Sequence, residues 1–333
     1  MSLVRRPALK PALVDAIPDS LTGGVVAVGN FDGVHRGHQA LLSHARTDAD
    51  RLGVPAVAFT FEPHPRTLFR PDTPVFRLTG IEAKARLLAA LGIDGLVVAP
   101  FDRSFAAIAA EDFIGSILCD RFRLRAAVVG YDFHFGKGRS GTPDVLRQAG
   151  AGRGFAVEVV RPVGDADGTL FASTDIRAAL GRGDIARANR LLGYRWFVLS
   201  TVITGDRRGG PLLGYPTANL RLTPDCGLAH GIYAVRVRTP DGVERDGVAS
   251  YGRRPTFDNG APLLEVHLFD FSGDLYGQTL AVSFLAWLRP EQKFAAVDAL
   301  IAQMNDDSAA AKAVQAAAGP GSDLDRALAE VGV

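Results

Sequence analysis

The stretch Val25-Val-Ala-Val-Gly-Asn-Phe-Asp-Gly-Val-His-Arg-Gly-His38 decides how the front half of the chain folds. Its apolar run, Val25–Gly29, is too short for a helix and fits a buried strand. The glycine-rich turn behind it leads into a helical pattern that reaches about Leu52. His35 and His38 stand three apart at the start of that helix and so share one of its faces. A helix start carries free N–H groups and roughly half a positive charge. Backbone amides with two imidazoles form a cradle for phosphate oxygens, and Gly37 lets a ligand approach the backbone closely. Two plainer readings stay open on these residues alone. One is a turn with two exposed histidines; the other is a zinc site, which lacks a third ligand nearby.

Working outward, the same grammar repeats. Ala56–Phe61, Gly95–Ala99, Ala126–Gly130 and Ala156–Val160 are short apolar runs ending near glycine, proline or charge. Helical patterns separate them. Phe113, Ile114, Ile117, Leu118 and Phe122 make one apolar stripe, and Thr142-Pro143 reads as a cap followed by proline. Strands alternating with helices predict an α/β domain with a doubly wound parallel sheet, its ligands held at the carboxyl ends of the strands.

Around residue 190 the pattern changes. Asp184 to Leu192 reads as a helix stopped by Gly193. Trp196–Ile203, Ile232–Arg238, Val248–Tyr251, Leu264–Phe269 and Thr279–Leu285 then read as antiparallel strands, since Leu264-Glu-Val-His-Leu alternates apolar with polar. They predict an antiparallel β-barrel, followed by a helix from about Pro290 to Met304. An alanine-rich stretch is broken at Gly319-Pro-Gly321. The expected organisation is a domain at 1–187, a second at 188–320, and a mobile tail at 321–333.

A length of 333 residues suits two domains. Apolar residues are 47% and charged residues 22%, which excludes wholesale disorder. Lys plus Arg is 37 against 36 Asp plus Glu, a net charge of +1 that leaves no footprint for nucleic acid or an acidic membrane. Cys119 and Cys226 cannot build a disulfide framework or a cysteine zinc site by themselves. No apolar stretch follows Arg5 and Arg6, and no run approaches the roughly 20 residues that span a bilayer. The expectation is a cytoplasmic protein with small-molecule partners and no membrane or nucleic-acid partner; a homo-oligomer is left open.

With these strings placed, the sequence resembles the prokaryotic bifunctional riboflavin kinase/FMN adenylyltransferases (FAD synthetases) over about residues 20–307. Their H-x-G-H signature is matched by His35-Arg-Gly-His38. Three more strings match: Thr60-Phe-Glu-Pro-His-Pro-Arg66, Gly130-Tyr-Asp-Phe-His-Phe-Gly136 and Ser173-Thr-Asp-Ile-Arg177. Each falls where the predicted sheet places a ligand. The resemblance implies a nucleotidyltransferase in front, in which the FMN phosphate attacks the α-phosphorus of ATP and pyrophosphate leaves. It implies His35 and His38 for charge stabilisation, and Arg177, Ser173 and Thr174 for gripping the leaving phosphates. Gly29, Asn30, Phe31, Asp32 and Gly37 are implied as nucleotide contacts. Phe61, His64, Arg66, Gly130, Asp132 and Phe133 are implied to line the flavin and adenine pockets, with core packing an equal alternative for Phe61 and Phe133.

The second module resembles the riboflavin kinases through Gly214-Tyr-Pro-Thr-Ala-Asn219 and Leu264-Glu-Val-His267. The resemblance implies Glu265 as the base that takes the proton of the ribityl 5′-hydroxyl. It also implies Thr217 and Asn219 as oxygen ligands for Mg2+ held against ATP, with Gly205, Arg208 and Gly214 approaching phosphate. Two strings depart from the family pattern. Arg207-Arg-Gly-Gly-Pro-Leu-Leu-Gly214 replaces the usual R-G-R-x-L-G, and Pro211 removes a backbone donor there. Ala249-Ser-Tyr-Gly252 stands where A-N-x-G is usual. A lone adenylyltransferase with a regulatory, flavin-binding barrel is the alternative these departures leave standing.

Overall fold

The computed structural model describes residues 7–165, 168–204, 215–253 and 262–332. By its internal contacts the chain divides into two units, Met1–Ser173 and Thr174–Val333.

The first unit is built on a six-stranded parallel sheet of β1 (Ala12–Leu13), β2 (Val25–Val28), β3 (Ala56–Glu62), β4 (Gly95–Pro100), β5 (Ala126–Gly130) and β6 (Ala156–Val160), in the order β1-β4-β3-β2-β5-β6. All five strands expected in this half are present. The two-residue β1, paired to β4, carries no periodicity and was not legible. Side chains alternate between faces, and both faces are covered. Val26, Val28, Phe59, Val97 and Ala127 join one apolar cluster with Phe113, Ile117 and Phe122. α1 (Arg36–Leu52) packs against the sheet at β2, β3 and β5. Further helices are α2 (Pro65–Phe69), α3 (Ile81–Ala90), the short α4 (Arg103–Ala106) and α5 (Ala110–Asp112), and α6 (Pro143–Arg153). The Phe113 stripe forms a π-helix, Phe113–Arg121. Thr142 caps α6 as its sequence indicates, its hydroxyl accepting from the Val145 N–H at 3.3 Å.

The strand order has one functional consequence. From β2 the chain steps outward through β3 to β4, then returns to the other side of β2 to lay down β5. The loops leaving β2 and β5 therefore diverge and open a crevice at the carboxyl end of the sheet. The strings 29–38 and 130–136 both start there.

The second unit is a closed antiparallel barrel of β7 (Phe197–Ile203), β8 (Ala218–Leu220), β9 (Gly231–Arg238), β10 (Glu244–Arg253), β11 (Pro262–Leu268) and β12 (Thr279–Arg289), in the order β10-β11-β8-β7-β12-β9. α7 (Ser173–Gly181) begins at the divide, and α8 (Ile185–Leu192) braces the barrel. The Asn189 side chain joins them: its amide donates to the Phe284 carbonyl at 3.0 Å, and its oxygen accepts from the Trp196 N–H at 2.8 Å.

Two expectations at the far end need correction. The helix placed at Pro290–Met304 is α9, Val297–Ala317. Irregularities after Phe284 and Trp287 let β12 keep pairing with β9 as far as Arg289, so strand occupies the residues before Pro290. Arg289 then makes a two-pronged pair with Asp307 of α9, at 2.7 and 2.6 Å. The stretch 321–333, expected as a mobile tail, carries α10 (Asp323–Ala329). Ser322 and Asp325 form a capping box, the Arg195 N–H donates to Asp325 at 2.9 Å, and Val331 is buried. A cap, a tether and an apolar anchor outweigh the helix-breaking Gly-Pro-Gly before them.

Gln315 fixes α9 to the barrel. Its amide donates to the carbonyls of Val235 at 2.8 Å and Gly247 at 2.7 Å, both within the core. Gln315→Leu is expected to remove both hydrogen bonds and to destabilise the barrel by about 2 kcal/mol. The urea midpoint of the barrel transition reads this, and an unchanged midpoint would refute the anchoring role.

Candidate functional site

His35 ends the glycine-rich turn with extended backbone (φ −65°, ψ 171°), and α1 starts at the next residue. Its ring is buried and stacks on that of His38, with centroids 3.8 Å apart and planes 22° apart. Gly37 makes this stacking possible: a Cβ there would come within 3.2 Å of the His35 ring. Phe31, expected as a nucleotide contact, is fully buried and stands edge-on to His38 at 5.4 Å. It backs the pair rather than lining the cleft. Burial, then His35 and then the Lys84 ammonium hold the His38 imidazole well below its ordinary value. The ring is therefore neutral at pH 7, and its Nδ1 makes no hydrogen bond among the described residues.

Lys84 was not legible as a site residue. Ile81-Glu-Ala-Lys-Ala-Arg reads as an ordinary helix with solvated charges, yet the Lys84 side chain is only 3% exposed. Its Nζ donates to the Asn30 carbonyl at 2.9 Å, to Glu62 Oε1 at 3.2 Å and to Thr60 Oγ1 at 3.3 Å. Glu62 Oε2 accepts from Arg77 at 2.8 Å. Beside this group, Asp32 Oδ1 accepts from the backbone N–H groups of Leu78 and Thr79 at 2.9 and 3.2 Å. The Gly33 N–H donates to Thr79 Oγ1 at 3.0 Å. The turn after β2 is thus tied to the segment entering α3, and the Asp32 carboxylate is engaged there. Asn30 Oδ1 is buried and makes no hydrogen bond among the described residues.

The remaining strings of the first unit fall at the same end of the sheet. Gly29 and Gly130 follow or end β2 and β5. Phe61 is buried against Phe59, Phe101 and Phe105, with centroids 5.1, 5.9 and 5.8 Å away, so core packing is its role. His64 caps α2, its Nδ1 accepting from the Arg66 N–H at 3.1 Å, which leaves Arg66 exposed on a short helix. Asp132 is exposed, and Phe133 is half-buried and stacked on Phe135 at 5.4 Å. The Ser173 hydroxyl donates to the Asp32 carbonyl at 2.9 Å, joining the start of α7 to the turn after β2. Thr174, exposed, and Arg177, half-buried and engaged, count with the second unit.

In the barrel, register brings together two of the residues singled out in the sequence. Glu265 of β11 lies opposite Asn219 of β8 and opposite Ser250 of β10. Their neighbours Ala218, Leu220, Leu264 and Val266 are buried, so the three polar residues share the other face of the wall. Asn219 is nonetheless buried, and its Oδ1 makes no hydrogen bond among the described residues. Thr217 precedes β8 and is half-buried. The His267 Nδ1–H donates to the Pro216 carbonyl, 2.9 Å away, and the Tyr215 hydroxyl donates to Asn305 of α9 at 2.5 Å. Gly205, Arg208 and Gly214 lie outside the described residues.

Comparison with known proteins agrees with this division. Residues 17–175 match the FAD synthetase family and residues 192–315 the riboflavin kinase family. The chain is 42% identical to the bifunctional riboflavin kinase/FMN adenylyltransferase of Pseudomonas fluorescens, over 88% of this chain and 94% of that one. It is 39% identical to the protein so named in Escherichia coli K12, over 87% and 92%. A solved structure described as a macrolide-efflux protein from Streptococcus pneumoniae is 30% identical, with a TM-score of 0.77 over 90% of this chain and 97% of that one. Among the described residues, no helix is long and apolar enough to cross a membrane.

The neutral His38 has a pH consequence. Unfolding exposes an imidazole of ordinary affinity, 6.5, so below that pH the unfolded chain binds a proton that the folded one refuses. Its contribution to stability is complete above about pH 6.5 and is lost as pH falls further. In thermal scans from pH 7.5 to 5, His38→Gln is expected to lose stability less steeply than the unmodified protein. Equal slopes would exclude His38 as the titrating group.

Proposed function

The chain belongs to the bifunctional riboflavin kinase/FMN adenylyltransferase family, and from that premise we propose how its residues divide the two reactions. It phosphorylates riboflavin to FMN with ATP, and adenylylates FMN to FAD with release of pyrophosphate. We place the functional boundary at 187/188, inside the interval 176–191 that neither family match includes. The protein works in the cytoplasm, where its ATP is made.

In adenylyl transfer an FMN phosphate oxygen bonds to the α-phosphorus of ATP as the bond from that phosphorus to the bridging oxygen breaks. The nucleophile is already an anion, so no protein base is needed; the enzyme must orient two polyanions and offset their charge. The stacked His35/His38 pair at the start of α1 carries this reading. Free N–H groups of the first helical turn face the same end of the sheet, where the strand order opens its crevice. Neutral His38 meets the phosphates as a hydrogen-bonding group. Asn30, with its idle Oδ1, contacts the nucleotide. Ser173, tied by its hydroxyl to the Asp32 carbonyl, acts on the leaving phosphates.

The kinase reaction is chemically different. The ribityl hydroxyl attacks the γ-phosphorus, the bond to ADP breaks, and the hydroxyl proton passes to Glu265. The buried, hydrogen-bond-free Asn219 Oδ1 fits a hard-cation ligand, and Thr217 supplies a second neutral oxygen. Mg2+ held there would offset charge on the ATP phosphates.

Two single substitutions separate the reactions. His38→Ala is expected to lower FAD formation from FMN by at least about tenfold while FMN formation from riboflavin stays near normal. Glu265→Ala is expected to remove FMN formation and spare FAD formation from supplied FMN. Chromatographic separation of the flavins after incubation with ATP and magnesium reads both. Parallel losses of the two activities in either variant would overturn the division.

A further inference from the structure

Three oxygens converge on the Lys84 ammonium, and each comes from the carboxyl end of β2 or of its neighbour β3: the Asn30 carbonyl after β2, and Thr60 and Glu62 of β3. An ammonium has three donors, so this set engages all of them. Stability alone is a poor reason for such a group, since a well-packed apolar side chain often replaces a buried ion pair without loss. Its location gives a better one. Asn30 opens the turn that ends at His35. Lys84 holds that turn at its first residue, while Leu78 and Thr79 hold it at Asp32 and Gly33. The same ammonium, with Arg77, pairs with the Glu62 carboxylate.

We propose that Lys84 is a positioning residue for adenylyl transfer, which fixes the Asn30–His35 turn in its phosphate-receiving form. The proposal rests on the reading of the first unit as the adenylyltransferase. The charged groups facing Lys84 are Glu62 from β3, Asp32 from the turn after β2, Arg77 from the segment before α3, and His38 from α1. Glu62 and Asp32 favour the charged form, whereas burial, first among the influences, opposes it. Lys84 in turn helps to keep His38 neutral.

The test compares Lys84→Met with the double variant Glu62→Gln/Lys84→Met. The second removes the stranded carboxylate while keeping its shape. Rates of FAD formation from FMN and ATP, riboflavin phosphorylation and thermal midpoints are measured for both. The double variant is expected to regain the thermal stability lost by the single one, yet both should show kcat for FAD formation at least about tenfold down. Riboflavin phosphorylation should stay within about twofold of normal, because it takes place in the other unit. In Lys84→Met the inflection that His38 sets in the pH profile of FAD formation should move to higher pH, since one positive neighbour is gone. Recovery of FAD formation together with stability in the double variant would reduce Lys84 to a structural group and overturn the proposal. So would an unmoved inflection with kcat near normal. Unmodified protein that makes FMN but no FAD would instead overturn the reading of the first unit, whatever the variants do.

Discussion

A parallel sheet covered on both faces has no room for polar chemistry along its strands. Val25 to Val28 are buried without exception, as are Ala56 to Phe61. Charge can enter only where the strands end, and there it must be paired, because an isolated buried ion is prohibitive. At the ends of β2 and β3 the Lys84 ammonium meets this constraint, with Arg77 on the other oxygen of Glu62. Lys84 lets the backbone of the β2 turn, a β3 hydroxyl and a β3 carboxylate share one enclosed space. The imidazole stack, the Asp32 tether and the Ser173 hydroxyl bond are then built around a turn already held in place.

The barrel solves the same problem differently. Its strands alternate between a dry interior and an outer face, so polar residues can sit on the wall itself. Ser250, Glu265 and Asn219 form a cross-strand row while their neighbours fill the core. The two architectures suit the two reactions. Adenylyl transfer needs orientation and charge compensation, which a rigid strand end beside a helix start supplies. Phosphorylation of an alcohol needs a proton acceptor beside its substrate, which one side chain on a wall can be.

Legibility followed the same physics. The long apolar strands and the histidine turn announce themselves, because continuous burial and helix-start chemistry both leave local patterns. β1 and β8 do not, being two and three residues long and held by pairing with distant strands. Pro290 looks like a helix start, but the strand before it runs on through two irregularities that only tertiary pairing creates. Asp32 and Phe31 sit inside the most informative string, yet one braces the Leu78–Thr79 backbone and the other backs an imidazole. A motif records which residues are needed and is silent on whether they touch ligand. Lys84 was the hardest to see. Nothing in a helix reading distinguishes a lysine aimed at solvent from one aimed at a carboxylate twenty-two residues earlier in the chain.

The composition of the barrel row bears on how the kinase would take up its metal. A carboxylate that is to accept a proton has to be ionised when the alcohol arrives, and a second carboxylate beside it would oppose that. Across the strands Glu265 faces instead Ser250 and Asn219, neither of which carries a charge. The proposed ligands Thr217 and Asn219 are neutral as well. A divalent cation gains little from two neutral oxygens in competition with water, and much more from triphosphate oxygens. On the reading proposed above, a divalent cation would be carried in by ATP and steadied by Thr217 and Asn219, and Glu265 would not have to act beside a permanently bound ion.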